Sequence, residues 1–187
     1  MKVLLYSGGL DSTLVALMER PDALLFIDWG QKAAKYEWQC CKWWAERYLK
    51  VPLFKLRIAP LQGDYSYIPA RNLNFVVTAV NWAVVNGYDE VLLGIKDGDL
   101  PPDTKPIWVK ALNLFFSVIE PLPVTIRAPL HEVNYDEILR EYARTYPLMK
   151  TFSCSLLNRV PCNKLPENQW CCKCKEKKQK ISVASCP

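Results

Sequence analysis

The sequence predicts an α/β fold, a doubly wound parallel sheet that ends in a cysteine-rich segment. Three observations predict it. Short apolar runs alternate with amphipathic stretches through at least four units, and such alternation makes parallel sheets covered by helices on both faces. The first apolar run closes on a glycine pair, Gly8-Gly9. Five of the eight cysteines lie between Cys154 and Cys174.

The elements follow in order. Lys2 to Tyr6 (KVLLY) is short, apolar and reads as a buried strand. Asp11 to Arg20 reads as a helix that Pro21 stops. Ala23 to Asp28 (ALLFID) is a second strand with a polar end. Ala34, Trp38, Cys41, Ala45 and Tyr48 keep helical spacing. Val51 to Ile58 reads as a third strand, and Arg71 to Val85 as a long helix closed by Asn86-Gly87. Glu90 to Ile95 is a fourth strand. Pro106 opens a helix to about Val118, and Val124 to Arg127 is a fifth strand. Asn134 caps a last helix with Glu137 as its capping-box partner. After Lys150 the periodicity fades. Residues 1–150 therefore read as one α/β domain, and 151–187 as an appendage packed on it.

The bounds are those of an ordinary soluble globular protein. The 187 residues are 50% hydrophobic and 23% charged, enough for one cored domain. No apolar run reaches the ~18 residues that span a bilayer, and no secretory segment opens the chain. A cytoplasmic protein without membrane contact is expected. The net charge of +5 owes much to Lys173, Lys175, Lys177, Lys178 and Lys180. These read as a solvated helix face, and direct contact with nucleic acid is not expected. Trp43 and Trp44 cannot both face one core, which leaves one for a homodimer contact.

Ser7-Gly8-Gly9-Leu10-Asp11-Ser12-Thr13 joins the first strand to the first helix. In a doubly wound sheet, the carboxyl ends of the strands are the place for a ligand. Two glycines let the backbone approach an anion, and the helix N-terminus offers N–H groups and a positive dipole end. Ser7, Ser12 and Thr13 add hydroxyls. Asp11 would repel phosphate unless a Mg²⁺ lay between them. No lysine follows the glycines, so this is not the G-x-x-x-x-G-K-[ST] loop.

SGGLDST resembles the pyrophosphate-binding loop of the PP-loop ATP pyrophosphatases, which have the adenine nucleotide alpha hydrolase-like version of the Rossmann fold. That resemblance implies ATP, cleaved between its α and β phosphates to adenylate an acceptor. Three further segments, Phe26-Ile27-Asp28-Trp29-Gly30-Gln31, Ile68-Pro69-Ala70-Arg71-Asn72 and Thr151-Phe152-Ser153-Cys154, resemble those of the 7-cyano-7-deazaguanine synthases, the QueC family. The implied reaction turns 7-carboxy-7-deazaguanine and ammonia into the nitrile, with no glutaminase segment for the ammonia in this length. Asp11 and Arg71 are the expected catalytic pair. Ser7, Gly8, Gly9, Leu10, Asp11, Ser12, Thr13, Asp28, Gln31 and Asn72 are the expected nucleotide-binding set. Asp28 would hold Mg²⁺ or a ribose, and Asn72 a base or ribose edge.

Cys154, Cys162, Cys171 and Cys174 supply four thiolates for a closed, structural zinc site. Cys172 competes with Cys171 as ligand. The resembled family spaces its last three cysteines as C-x-x-C-x-x-C, whereas this chain has Lys177 at the third place. It also has Tyr135 where the family shows a lysine. Rival readings are a QueC-like paralogue acting on another carboxylate, a sulfur-transferring tRNA enzyme, and a zinc-stabilised nucleic-acid-binding module without catalysis.

Overall fold

A computed structural model describes residues 1–61, 68–97, 102–119, 121–153 and 171–185. Five strands form one sheet: β1 Lys2–Leu5, β2 Ala23–Asp28, β3 Leu53–Arg57, β4 Glu90–Leu93 and β5 Thr125–Arg127. Every pairing is parallel and the order is β3-β2-β1-β4-β5. The chain therefore runs outward from β1 to β3, then crosses back to lay β4 on the other side of β1. That reversal opens a crevice at the carboxyl ends of β1 and β4, where such sheets place ligands.

The central strands β1, β2 and β4 are buried on both faces, which explains their continuous apolar runs. Alternate residues serve opposite cores. Leu4, Leu24, Phe26 and Leu92 pack on one face under α1 (Leu10–Glu19), α2 (Ala34–Trp44), α5 (Tyr135–Thr145) and α6 (Cys172–Ser185). Val3, Leu25, Val91 and Leu93 pack on the other under α3 (Arg71–Val85) and α4 (Pro106–Leu114). Wider π turns continue α2 through Leu49 and α4 through Ile119. Asn134 caps α5 by accepting from the backbone N–H groups of Asp136 and Glu137.

One point departs from the sequence reading. The stretch after Lys150 was expected to be without helical periodicity, yet its end is the 14-residue helix α6. Its Ile181 and Ala184 are buried in the core against the sheet's first face. Trp43 is half-buried by its own chain, with the Trp44 ring at 5.4 Å and the Tyr48 ring at 5.3 Å, while Trp44 is fully buried. The two rings thus split as expected, Trp44 into the core and Trp43 toward the surface. Among the described residues, no helix is long and apolar enough to cross a membrane.

Candidate active site

The turn from β1 into α1 is shaped for close approach. Gly8 has φ +73°, a left-handed conformation suited to glycine. Gly9 is the extended N-cap of α1, and no side chain caps that helix end. A Cβ on Gly9 would lie 3.2 Å from Ser7 Oγ and 3.6 Å from the Phe152 carbonyl oxygen. The loop therefore offers a helix N-terminus and a backbone cradle that a side chain would crowd, which suits an anionic group. Thr13 works inside the loop. It is fully buried, donates to the Gly9 carbonyl at 2.8 Å, and its Oγ1 lies 3.0 Å from the Tyr6 hydroxyl.

Gly94 shows why glycine follows β4. A Cβ there would sit 2.6 Å from Ser12 Cα and 2.8 Å from Ser12 N. The first turn of α1 thus rests directly on the end of β4, fixing the loop against the neighbouring strand.

A cavity of about 570 Å³ opens beside this loop. Ser7, Gly9, Leu10, Asp11 and Ser12 form one wall, and Trp29, Gln31 and Glu37 line it beyond β2. Arg71 enters from α3, Lys96 from beyond β4, and Tyr135 from α5. Lys173, Glu176, Lys177 and Lys180 enter from α6. The expected catalytic pair, Asp11 and Arg71, thus meets in one space with most of the loop and Gln31. Asn72, Gly8 and Thr13 do not line it.

Asp28 is placed elsewhere. Its carboxylate is buried in ion pairs with Lys55 at 2.8 Å and Arg57 at 3.5 Å, and it accepts from Gly30 N at 3.2 Å. The Lys55 ammonium holds the Asp28 carboxyl below the usual carboxylate range. An acid so engaged braces β2 against β3 and supports the turn after β2. It does not line the cavity with Asp11.

Each functional side chain has a local cause. Ala70 adopts φ +55° at the N-cap of α3, a strained conformation for a residue with a Cβ. The kink puts Arg71 in the first helical turn and into the cavity. A cation at a helix N-terminus opposes the dipole, so this position serves the cavity more than the helix. On α5, the Tyr135 hydroxyl donates to Asp11 Oδ1 at 2.6 Å. The Lys96 ammonium stands 4.8 Å from the centre of the Tyr135 ring. On α6, Lys177 is buried and donates to the carbonyls of Thr151 at 2.5 Å and Met149 at 3.2 Å. This corrects the solvated-face reading for Lys177. Lys173 and Lys180 are exposed, but on the cavity's rim.

Glu37 was not singled out in the sequence. Gln31 Nε2 donates to its Oε2 at 2.7 Å, while Gln31 Oε1 accepts from Trp29 N at 2.9 Å. Burial pushes the Glu37 carboxyl up, with the Gln31 hydrogen bond and the Arg71 charge opposing. Two thiols lie under the loop. Cys40 and Cys41 reach within 3.3 and 3.1 Å of where a Gly8 Cβ would stand. Burial pushes the Cys40 thiol up to about 11 and the Cys41 thiol well above its usual range. Both are neutral at physiological pH and poor nucleophiles.

Cys171 and Cys174 are buried together against Phe152 at the start of α6. Their spacing and shared burial fit two arms of a thiolate site. Cys154 and Cys162 lie outside the described residues, as does the Cys172 side chain. Among the described residues, no group of three or more histidine, cysteine or acidic side chains gathers to hold a metal.

The family model described as "Queuosine biosynthesis protein QueC" matches residues 59–181, about two thirds of the chain. The chain belongs to the QueC family. Its QueC relatives match along most of their length. A 7-cyano-7-deazaguanine synthase of Prochlorococcus marinus (strain MIT 9215) is 26% identical, over 87% of this chain and 87% of its own. One from Azotobacter vinelandii (strain DJ) is 27% identical, over 74% of this chain and 75% of its own. Among solved structures, the U34-tRNA thiolase NcsA from Methanococcus maripaludis, with its 4Fe-4S cluster, superposes at a TM-score of 0.53. It is 14% identical and covers 98% of this chain and 64% of that one. At that identity the likeness concerns the fold alone. The QueC match begins after β3 and reaches into α6, so it takes in Arg71, Tyr135 and Lys177.

Proposed function

We propose that the protein is an ATP-dependent carbon–nitrogen ligase that converts 7-carboxy-7-deazaguanine to 7-cyano-7-deazaguanine with ammonia. The observation that carries this reading is the single cavity shared by the α1 N-terminus, Asp11, Arg71 and the α6 lysines. A carboxylate attacking a phosphate brings two anions together, and the reaction needs their charge screened. The helix N-terminus and the Ser7 and Ser12 hydroxyls would take phosphate oxygens. Arg71 can fork onto the acceptor carboxylate or a phosphate. Lys96, Lys173 and Lys180 add positive charge around the same space.

In the reaction, the acceptor carboxylate takes AMP from ATP and pyrophosphate leaves. Ammonia then displaces AMP to give the amide, and a second activation removes water to give the nitrile. The chain's share is positioning and charge neutralisation. Asp11 is the residue to hold a Mg²⁺, which would supply charge neutralisation at the phosphates. The Tyr135 hydroxyl orients the Asp11 carboxylate.

The tail, residues 151–187, is proposed to carry one structural zinc on Cys154, Cys162, Cys171 and Cys174, leaving residues 1–150 as the nucleotide-binding domain. One equivalent of zinc in the purified protein, lost in Cys174→Ser, is the expected metal analysis. Zinc at full occupancy in that variant refutes the ligand set.

Mass spectrometry of a mixture with ATP, Mg²⁺, ammonium and 7-carboxy-7-deazaguanine tests the activity. Amide, nitrile and AMP are expected. AMP formed only with a different carboxylate would replace the acceptor, and no ATP turnover with any acceptor would sink the ligase reading.

A further inference from the structure

Three acids line the cavity, and two have evident partners. Asp11 takes the Tyr135 hydroxyl, and Glu176 pairs with Lys180 at 2.6 Å. Glu37, among the described residues, has neither an ion pair nor a hydroxyl partner. Among the described residues, its carboxylate accepts one hydrogen bond, from the neutral Gln31 amide, through Oε2. Burial disfavours a charge left this way, and a phosphate or acceptor carboxylate beside it would be repelled. A ligand that offers N–H donors would be attracted.

The same Gln31 amide fixes an aromatic neighbour. Its Nε2 holds Glu37 and its Oε1 holds the backbone of Trp29, and all three residues line the cavity. An aromatic wall beside a carboxylate suits a flat ring with two adjacent N–H donors on its edge. A guanine-type ring has such an edge, its N1–H and its 2-amino group. An adenine ring presents the N1 lone pair there, which a carboxylate repels.

Resting on the ligase reading above, we infer that Glu37 reads the N1–H and 2-amino edge of the acceptor's guanine-type ring, which stacks on Trp29. Glu37 is then the residue that selects the acceptor, and Gln31 positions both halves of its subsite.

The test uses unreactive rings, 7-deazaguanine and 7-deazaadenine, titrated calorimetrically into the protein with a non-hydrolysable ATP analogue bound. The wild type is expected to prefer 7-deazaguanine by ~10–100-fold. Glu37→Gln removes that preference and leaves affinity for the ATP analogue unchanged. Glu37→Asp keeps the charge and retains a reduced preference. If Glu37→Gln fails to fold by circular dichroism, Glu37→Asp and Trp29→Leu carry the test, since both must weaken 7-deazaguanine more than 7-deazaadenine. A preference that survives Glu37→Gln overturns the inference. So does a loss that falls on the ATP analogue, which would put adenine on Glu37. Nitrile formation by a protein whose ring preference ignores Glu37 defeats the inference and spares the ligase reading. A Glu37-dependent preference in a protein that makes no AMP does the reverse.

Discussion

The Tyr135 hydroxyl donates to Asp11 Oδ1 at 2.6 Å, joining α5 to the phosphate loop across 124 residues of sequence. Lys96 sits over the same tyrosine ring at 4.8 Å. A cation, an aromatic ring and the loop carboxylate thus form one chain of contacts. Short hydrogen bonds to a carboxylate are charge-assisted and hold its orientation.

Tyr135→Phe keeps the ring under Lys96 and removes only the hydroxyl. Losing one such bond is worth about 1–2 kcal/mol, so kcat for pyrophosphate release should fall roughly tenfold. The KM for ATP should change little. An unchanged kcat would show that Asp11 needs no help from α5.

Asp11→Asn removes the charge at the centre of this arrangement while keeping its size. Turnover is expected to drop by at least ~100-fold, as for loss of a preorganised charged group. Far-UV circular dichroism should be unchanged. Full pyrophosphate release in this variant would remove Asp11 from the catalytic assignment.

Gly94→Ala tests the seat of α1 on β4. The new Cβ would stand 2.6 Å from Ser12 Cα, a backbone atom that cannot swing aside. Overpacking of this kind costs about 1–3 kcal/mol. In a chain of this size that lowers Tm by ~2–4 °C per kcal/mol. A variant as stable as the wild type, with unchanged ATP affinity, would contradict the close approach.

The turn from β1 into α1 was legible because local chemistry dictates it: a glycine pair after an apolar strand turns and begins a helix in few ways. Asp28 was legible as the end of β2, but neither its partners nor its place outside the cavity was. Its Lys55 and Arg57 partners lie on β3, and the register that sets Asp28 opposite Arg57 is a long-range fact. Glu37 looked like one more polar residue on an amphipathic helix. Its only local signal is its place six residues after Gln31. Lys177 was lost among its lysine neighbours. Yet Cys174 and Lys177 fall three apart on α6, which makes them neighbours on its surface, and both are buried, as is Cys171 just before the helix.

Lys177→Met keeps the bulk and deletes the ammonium that ties α6 to the carbonyls of Met149 and Thr151. Leaving these carbonyls without their donor should cost about 1–3 kcal/mol. The loss should appear first as faster amide exchange in α6. Lys175→Met, on the exposed side of the helix, is the control and should be near neutral. Equal exchange in the two variants would deny Lys177 its tethering role.

Glu37 gives the pH test. Burial raises its carboxyl above the unfolded value, Gln31 and Arg71 act against this, and the Asp28 charge adds to it. A carboxyl raised on folding contributes stability that is fully present below its unfolded pKa of about 4.3. That contribution is lost as pH rises through the higher folded value. Glu37→Gln has no proton to lose, so the unliganded variant should gain on the wild type as pH rises. The two Tm curves should meet near pH 4 and separate above it by the equivalent of on the order of 1 kcal/mol. Activity should move the other way, because the charge that burdens the empty cavity is the one that recognises the acceptor. Parallel Tm curves across this range would mean that Glu37 is solvated well enough to stand alone, and its claim to a ligand would weaken accordingly.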